Sequence, residues 1–322
     1  MTDPTALRLR VHSMTRQAPA ILSLVLESID HAPLPAAAPG AHLDLHLAPG
    51  LARSYSIVGQ PGRPSRYELA IARDAKSRGG SRFVHEKLRV GDELTASAPR
   101  NLFPLDESAP FSALLAGGIG ITPIWSMVQR LESLQKPWLL VYAARSRAHA
   151  AYLEEIEALA RHTRVGRLHL HFDDEHQNQP VDLRAVLADV GHDAHLYCCG
   201  PQPMLAAYEA ATADRPPAQV HLERFGADAG TGPVSGFTVV LERSGQSLQV
   251  PPDRSILDVV LEAGINAQYG CMQGSCGLCE TPVLKGVPEH RDHLLADSVK
   301  AGNQAMLICC SRSRTSELVL DL

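Results

Sequence analysis

Over the first hundred residues the apolar positions tend to recur at every second place. The runs LRLRVHSMT (7–15), ILSLVLES (21–28), HLDLHL (42–47), RSYSIV (53–58), RYELAIAR (66–73) and DELTAS (92–97) are short and separated by turn residues, among them APG at 38–40 and PGRP at 61–64. Period-two runs broken by Pro and Gly predict a small antiparallel β-barrel or sandwich, of which the barrel is preferred. After residue 110 the pattern changes. FSALLAGG (111–118), WLLVYAAR (138–145), RLHLHFDD (167–174), AHLYCCG (194–200) and QVHLERF (219–225) read as strands. Between them 121–134, 150–162, 181–190 and 201–212 carry helical periodicity. Strands alternating with helices predict an α/β domain with a parallel sheet, whose ligands sit at the carboxyl ends of the strands. GADAGTGPVS (226–235) reads as a linker. Beyond it 237–250 reads as a hairpin and 255–265 as a short helix, and a cysteine-rich loop follows. The boundaries are 1–105 for the barrel, 106–226 for the α/β domain, 227–235 for the linker and 236–322 for a small α+β domain.

Composition narrows the class. The 322 residues are 45% hydrophobic with a formal net charge of −5, enough apolar content for packed cores. No basic block suggests nucleic acid, and no run of about 18 apolar residues suggests a membrane span. The start MTDPTALRLR shows no secretory pattern. A cytoplasmic, monomeric protein is expected.

The cysteines are the strongest chemical signal. Of seven, five follow residue 270. Cys271, Cys276 and Cys279 have the spacing C-x4-C-x2-C, and Cys309 lies thirty residues further on. That is the plant-type ligand pattern of a [2Fe–2S] cluster. Each iron takes two bridging sulfides and two thiolates, so a tight loop supplies three sulfurs and a remote strand the fourth. Gly270, Gly274 and Gly277 suit such a loop. A zinc knuckle or a dithiol is the alternative for a lone C-x2-C, but no second knuckle or short-spaced histidine pair accompanies it. Cys310 is expected to be a neighbour of the cluster, not a ligand.

Further strings are suggestive. Arg53-Ser54-Tyr55-Ser56 offers a cation and a flat aromatic face. Ile71-Ala72-Arg73 and then Gly79-Gly80-Ser81 follow, and a glycine turn opening a helix can hold a phosphate. Gly117-Gly118-Ile119-Gly120-Ile121-Thr122-Pro123 joins a strand to a helix. It suits a pyrophosphate, but it does not meet G-x-G-x-x-G and is equally compatible with a packing turn. Tyr197-Cys198-Cys199-Gly200-Pro201 ends a strand, where Cys199 is compatible with a small buried thiol. Phe225, in His221-Leu222-Glu223-Arg224-Phe225, is compatible with a core side chain.

Together these strings resemble the ferredoxin–NADP reductase superfamily. With a plant-type ferredoxin at the carboxyl end, the whole chain resembles the family of phthalate dioxygenase reductase and vanillate O-demethylase reductase. The resemblance implies FMN against Arg53, Ser54, Tyr55 and Ser56. It puts Ile71, Ala72 and Arg73 along the flavin tail and the phosphate near Gly79, Gly80 and Ser81. It implies a nicotinamide cofactor held by Gly117, Gly118, Gly120, Thr122, Pro123, Gly200 and Pro201, with Cys199 near the nicotinamide ring and Phe225 beside the flavin. It also implies a β-grasp fold for 236–322. Arg145 and Arg147 follow the second strand of the α/β domain and suit the 2′-phosphate of NADPH, whereas the resemblance favours NADH.

The implied reaction passes electrons from NADH to FMN, to [2Fe–2S], to a terminal oxygenase of Rieske type. FMN matches a two-electron hydride to a one-electron cluster, and no acid–base pair is essential. Ser56 and Thr122 are candidates to hydrogen-bond the flavin or nicotinamide. The carboxyl-terminal domain has seven Lys+Arg and ten Asp+Glu over 235–322, which favours transient docking to a basic partner surface. A cytochrome P450 or another acceptor is the alternative partner. A redox sensor is the competing class, disfavoured because it needs no hydride port.

Overall fold

The computed structural model describes residues 6–49, 51–59, 65–74, 79–225 and 235–322. The PGRP turn, Ser77, Arg78 and all of the expected linker but Ser235 lie outside these residues.

The amino-terminal strands are β1 (Leu7–Ala18), β2 (Ile21–Ser28), β3 (Ala41–Ala48), β4 (Leu51–Ser56), β5 (Arg66–Ala72), β6 (Glu93–Ala96) and β7 (Arg100–Asn101). They form one sheet in the order β4-β3-β6-β1-β2-β5, with β7 beside β3. The two ends of that order meet: Ile57 bridges Leu69 antiparallel, and Val58 N donates to Glu68 O at 2.8 Å. Closure of this kind removes exposed edges. Leu24, Leu26, Leu43, Leu45 and Leu69 are fully buried. In β3 the alternation does not mark a wet face, since His42 and Asp44 are also buried. Arg100 of β7 covers this polar row through an ion pair with Asp44. Helix α1 (Gly80–Glu86) follows the glycine turn.

The second sheet contains β8 (Ser112–Gly117), β9 (Trp138–Ala144), β10 (Gly166–Phe172), β11 (His195–Gly200) and β12 (Val220–Arg224). Its order is β10-β9-β8-β11-β12, parallel throughout. Helices α2 (Ile121–Ser133), α3 (Leu153–His162), α4 (Leu183–Leu187) and α5 (Gln202–Ala211) connect the strands. β8 is buried at all positions, as the apolar run of a central parallel strand requires. The order reverses between β8 and β11, which makes a crevice at their carboxyl ends. Three expected elements are shortened. Tyr152, at φ 58°, delays α3 to Leu153. The third strand stops at Phe172, because Asp173–His176 is a single 3-10 turn. The Asp182 side chain accepts from Arg184 N and Ala185 N, so α4 starts at Leu183 and spans five residues.

The carboxyl-terminal part contains β13 (Phe237–Leu241), β14 (Gln246–Val250), α6 (Ile256–Glu262), β15 (Glu280–Lys285), β16 (Pro288–Glu289), α7 (Asp297–Gly302), β17 (Ala305–Leu307), β18 (Arg312–Ser313) and β19 (Glu317–Leu320). The main sheet runs β14-β13-β19-β15-β17, with β16 and β18 paired separately. The expected hairpin is β13–β14. The last strand returns parallel to the first, Val239 opposite Leu318. Helix α6 packs Ile256 and Val260 into this core with Val239, Leu241, Leu318 and Leu320.

The chain divides into two compact units. One comprises 1–45, 55–77 and 81–225; the other comprises 46–54, 78–80 and 226–322. No helix among the described residues is long and apolar enough to cross a membrane.

Candidate functional site

At the crevice of the parallel sheet, two glycine turns press together. A Cβ on Gly120 would lie 2.1 Å from Cys199 O. One on Gly117 would lie 2.6 Å from Pro201 Cδ, and one on Gly200 2.8 Å from Met204 Sδ. The GGIG and CGP strings therefore adjoin in space, across strands β8 and β11. Gly118 has φ +54° and open space where a Cβ would point. The first turn of α2 carries no acidic residue, so its free N–H groups face no competing carboxylate. Thr122 is buried and donates Oγ1 to Ile119 O at 3.0 Å, and Pro123 is buried one residue on.

Cys199 is fully buried. Burial, with Glu223 and Cys198 nearby, pushes its thiol far above the usual range. It stays protonated and cannot act as a nucleophile at neutral pH. Its partner in the sheet is Glu223, in register on β12. Glu223 Oε2 is buried with no hydrogen-bond partner among the described residues, and burial raises this carboxyl to about 8. Glu223 was missed as a site residue. It lies inside the E-R-F string, and only its place beside Cys199 reveals it. Phe225 is exposed at the end of β12, so the core reading of that residue is excluded.

The two arginines after β9 differ. Arg145 is exposed, and its carbonyl accepts from Asp174 N at 3.1 Å. Arg147 is engaged: Glu157 at 2.9 Å, Glu175 at 3.5 Å, and its guanidinium over the Phe172 ring at 4.9 Å.

The strings expected around the flavin fall into two groups. In the first unit Tyr55 and Ser56 end β4, and Ser56 is buried. Ile71 is a core side chain whose carbonyl contacts His85 Nε2 at 2.9 Å. Ala72 is half-buried. Arg73 pairs with Glu86 at 2.7 Å, and Ser81 Oγ accepts from Asp74 N at 3.2 Å. Residues 71–74 thereby adjoin 81–86. In the second unit, Gly79 has φ +96° and leads into Gly80. Arg53 Nη1 donates to Asp258 Oδ1 at 3.0 Å, and Ser54 Oγ donates to Gly270 O at 3.5 Å.

The cysteine loop folds around its sulfurs. Gly274 has φ +79°, and a Cβ there would lie 2.7 Å from Cys310 Sγ; one on Gly270 would lie 2.9 Å from Cys276 Sγ. Backbone amides point at sulfur: Cys271 N to Cys276 Sγ, and Gln273 N and Ser275 N to Cys271 Sγ, each at 3.3 Å. The thiols are mutually coupled: the contact between Cys271 and Cys276 lowers Cys276 to about 5 and raises Cys271, and Cys309 meets both Cys279 and Cys310, which lowers Cys279 and raises Cys309. Cys271, Cys276, Cys279 and Cys309 suit the two irons of a plant-type cluster, two thiolates on each. Cys310 also contacts Leu307 O and Ser311 Oγ.

Comparison with known proteins decides the family. Residues 239–314 match the 2Fe-2S iron-sulfur cluster binding domain, and residues 114–210 match the oxidoreductase NAD-binding domain. Tetrachlorobenzoquinone reductase of Sphingobium chlorophenolicum is 47% identical, with 100% of each chain covered. Vanillate O-demethylase oxidoreductase of Pseudomonas sp. (strain HR199 / DSM 7063) is 42% identical, covering 97% of this chain and 98% of that one. A solved phthalate dioxygenase reductase, a modular structure for electron transfer from pyridine nucleotides to [2Fe–2S], superposes with a TM-score of 0.88 at 35% identity, covering 98% of each chain. The chain belongs to the phthalate dioxygenase reductase family. It is an oxidoreductase with a nucleotide domain and a [2Fe–2S] domain in one polypeptide. The antiparallel sheet, the parallel sheet and the ferredoxin domain expected from the sequence are those of this fold.

Proposed function

We propose that the chain is the NADH-dependent reductase component of a multicomponent oxygenase, with a terminal component of Rieske type as its electron acceptor. The observation that carries this reading is the glycine-rich loop that turns the backbone amides of Cys271, Gln273 and Ser275 onto cysteine sulfur, in a chain that also carries a dinucleotide-type sheet. A nucleotide site delivers electrons in twos and a [2Fe–2S] centre releases them singly. The modular phthalate dioxygenase reductase and the vanillate O-demethylase oxidoreductase, both similar over nearly the full chain, support the oxygenase partner.

FMN, when bound, accepts a hydride and gives up electrons one at a time. Arg53, Ser54, Tyr55 and Ser56 are its proposed binding strand, with Arg73, Gly79, Gly80 and Ser81 around its tail and phosphate. Gly117, Gly118 and Gly120 would let the pyrophosphate approach the start of α2. Cys199, neutral and compact, lines the nicotinamide end beside Glu223. Cys271, Cys276, Cys279 and Cys309 are the proposed cluster ligands. NADH is preferred over NADPH, because Arg147 is already neutralised by Glu157 and Glu175. The protein acts as a cytoplasmic monomer, with domains at the boundaries read from the sequence.

A second reading is direct reduction of a quinone, favoured by the 47% identical tetrachlorobenzoquinone reductase. Acceptor assays test the proposal. NADH-driven turnover of a Rieske oxygenase component and rapid reduction of cytochrome c are expected. Reduction of quinones alone, with no one-electron acceptor served, would replace the oxygenase reading by the quinone one.

A further inference from the structure

The cysteine loop ends in a tight turn. Gly277 has φ +79°, and Glu280 N donates to Gly277 O at 2.9 Å. This turn presents Leu278, between Cys276 and Cys279, at 46% exposure. Leu278 lies over the loop, since a Cβ on Gly270 would be 2.7 Å from its Cδ1. A second turn stands beside the first. The buried Asp292 carboxylate accepts from Leu294 N at 3.3 Å and from Leu295 N at 2.8 Å, and Lys300 Nζ approaches it at 3.4 Å. His293 N donates to Gly274 O at 3.1 Å, which ties this turn to the cysteine loop. Leu295 packs against the core. Leu294 is left 49% exposed and close over Gly277, where a Cβ would be 2.8 Å from its Cδ2. Two exposed leucines, both in one compact unit, thus flank a single backbone turn between two of the proposed cluster ligands.

Single exposed leucines are commonplace, but these two are adjacent and fixed by hydrogen-bonded turns at the point where electrons leave the chain. The nearby cations are engaged, Arg291 with Glu289 at 3.0 Å and Lys300 with Asp292. Glu280 and Asp297 are exposed, and neither is in an ion pair among the described residues. An apolar centre with an acidic rim has the anatomy of a small, transient docking surface. We propose that Leu278 and Leu294 are the centre of the surface on which the electron acceptor docks, and that the acceptor is a protein offering an apolar spot ringed by Lys or Arg. The proposal rests on the one-electron outlet read above. In the docked pair one electron passes from the ferredoxin domain, which is oxidised, to the acceptor, which is reduced; no bond forms or breaks and no proton moves. The leucines exclude water from the contact, and Glu280 and Asp297 steer the encounter.

The test uses the full FMN- and cluster-loaded chain and cytochrome c, a basic one-electron acceptor. Its Kd for the oxidised protein, without NADH, is measured by NMR titration at low salt, and its KM and kcat with NADH by absorbance. Leu278→Gln and Leu294→Gln are each expected to raise Kd and KM about fivefold, with kcat and iron content unchanged. Leu284→Gln, at a leucine of 54% exposure outside both turns, is expected to leave Kd and KM unchanged. Glu280→Gln combined with Asp297→Asn is expected to flatten the dependence of Kd on salt; an unaltered dependence overturns the charged rim. Should Leu278→Gln lose iron, Leu294→Gln, outside the cysteine loop, decides. An unchanged Kd in both leucine variants overturns the proposal, and so does an equal rise in Leu284→Gln or a wild type that does not bind cytochrome c. A wild type that binds cytochrome c but cannot reduce it with NADH would overturn the one-electron outlet itself, a distinct result.

Discussion

Two glycine-rich turns carry the chemistry of this protein, and glycine serves a different purpose in each. In the nucleotide domain Gly117, Gly120 and Gly200 remove atoms so that the turns leaving two neighbouring parallel strands can lie against each other. The nearest obstacles are Cys199 O for Gly120, Pro201 Cδ for Gly117 and Met204 Sδ for Gly200. In the cysteine loop Gly274 and Gly277 both have φ +79°, and the requirement is left-handed backbone that turns amides toward sulfur. The first turn is a packing device, held by a sheet of five parallel strands. The second is a conformational device, held by sulfur and by one short helix. The first should fail by overpacking and the second by loss of its ligands.

The largest effect is expected at the cysteine loop. Cys276→Ser should abolish transfer to one-electron acceptors while NADH still bleaches the flavin, as measured with cytochrome c and by anaerobic absorbance. Loss of both activities in a folded, flavin-loaded variant would break the separation of the two regions. Gly120→Ala comes next. Its Cβ meets backbone that cannot yield, so about 1–3 kcal/mol of destabilisation is expected, together with a raised KM for NADH and an unchanged cluster spectrum. Denaturant melts and steady-state kinetics check it.

Glu223→Gln should have a smaller effect, confined to pH. The folded carboxyl is raised to about 8, above its unfolded value. The stability linked to its proton is complete below the unfolded pKa and is lost as pH rises toward 8. The Gln variant should therefore show a flatter profile of Tm against pH between about 4.5 and 8 and exceed the wild type at the alkaline end. A parallel profile would remove Glu223 from the account. The smallest effect belongs to Arg147→Ala. A side chain already paired with two carboxylates has little charge to offer a 2′-phosphate, so the ratio of NADH to NADPH kcat/KM should change by less than about threefold.

Much of this was legible in the sequence because its signals are local. The C-x4-C-x2-C spacing and the strand–glycine–helix junction are read within a dozen residues, and the structure shows backbone amides on the sulfurs of Cys271 and Cys276 and the two glycine turns of the parallel sheet side by side. What was not legible depends on distant partners. Strands β15 to β19 are short and weakly alternating, and β19 gains its place by lying between β13 and β15. Arg312 reads as a surface cation, yet it is buried and donates to the carbonyls of Arg254, Ser235 and Pro251. Glu223 looks like an ordinary strand-end charge until burial raises its pKa. Arg53 read as a cation placed against a flavin; its pairing with Asp258 could not be seen across 205 residues. Arg147 was a candidate for a phosphate until Glu157 and Glu175 were found against it.

The most direct test of the central claim, that hydride enters at the parallel sheet and leaves as single electrons from the cysteine loop, is an anaerobic titration of the FMN-loaded protein with NADH, followed by visible absorbance. The account predicts that a flavin band and a broader iron–sulfur band both bleach, ending at about 1.5 NADH per chain, since two electrons enter the flavin and one the cluster. Bleaching of the flavin at about one NADH per chain with the cluster left oxidised would contradict it.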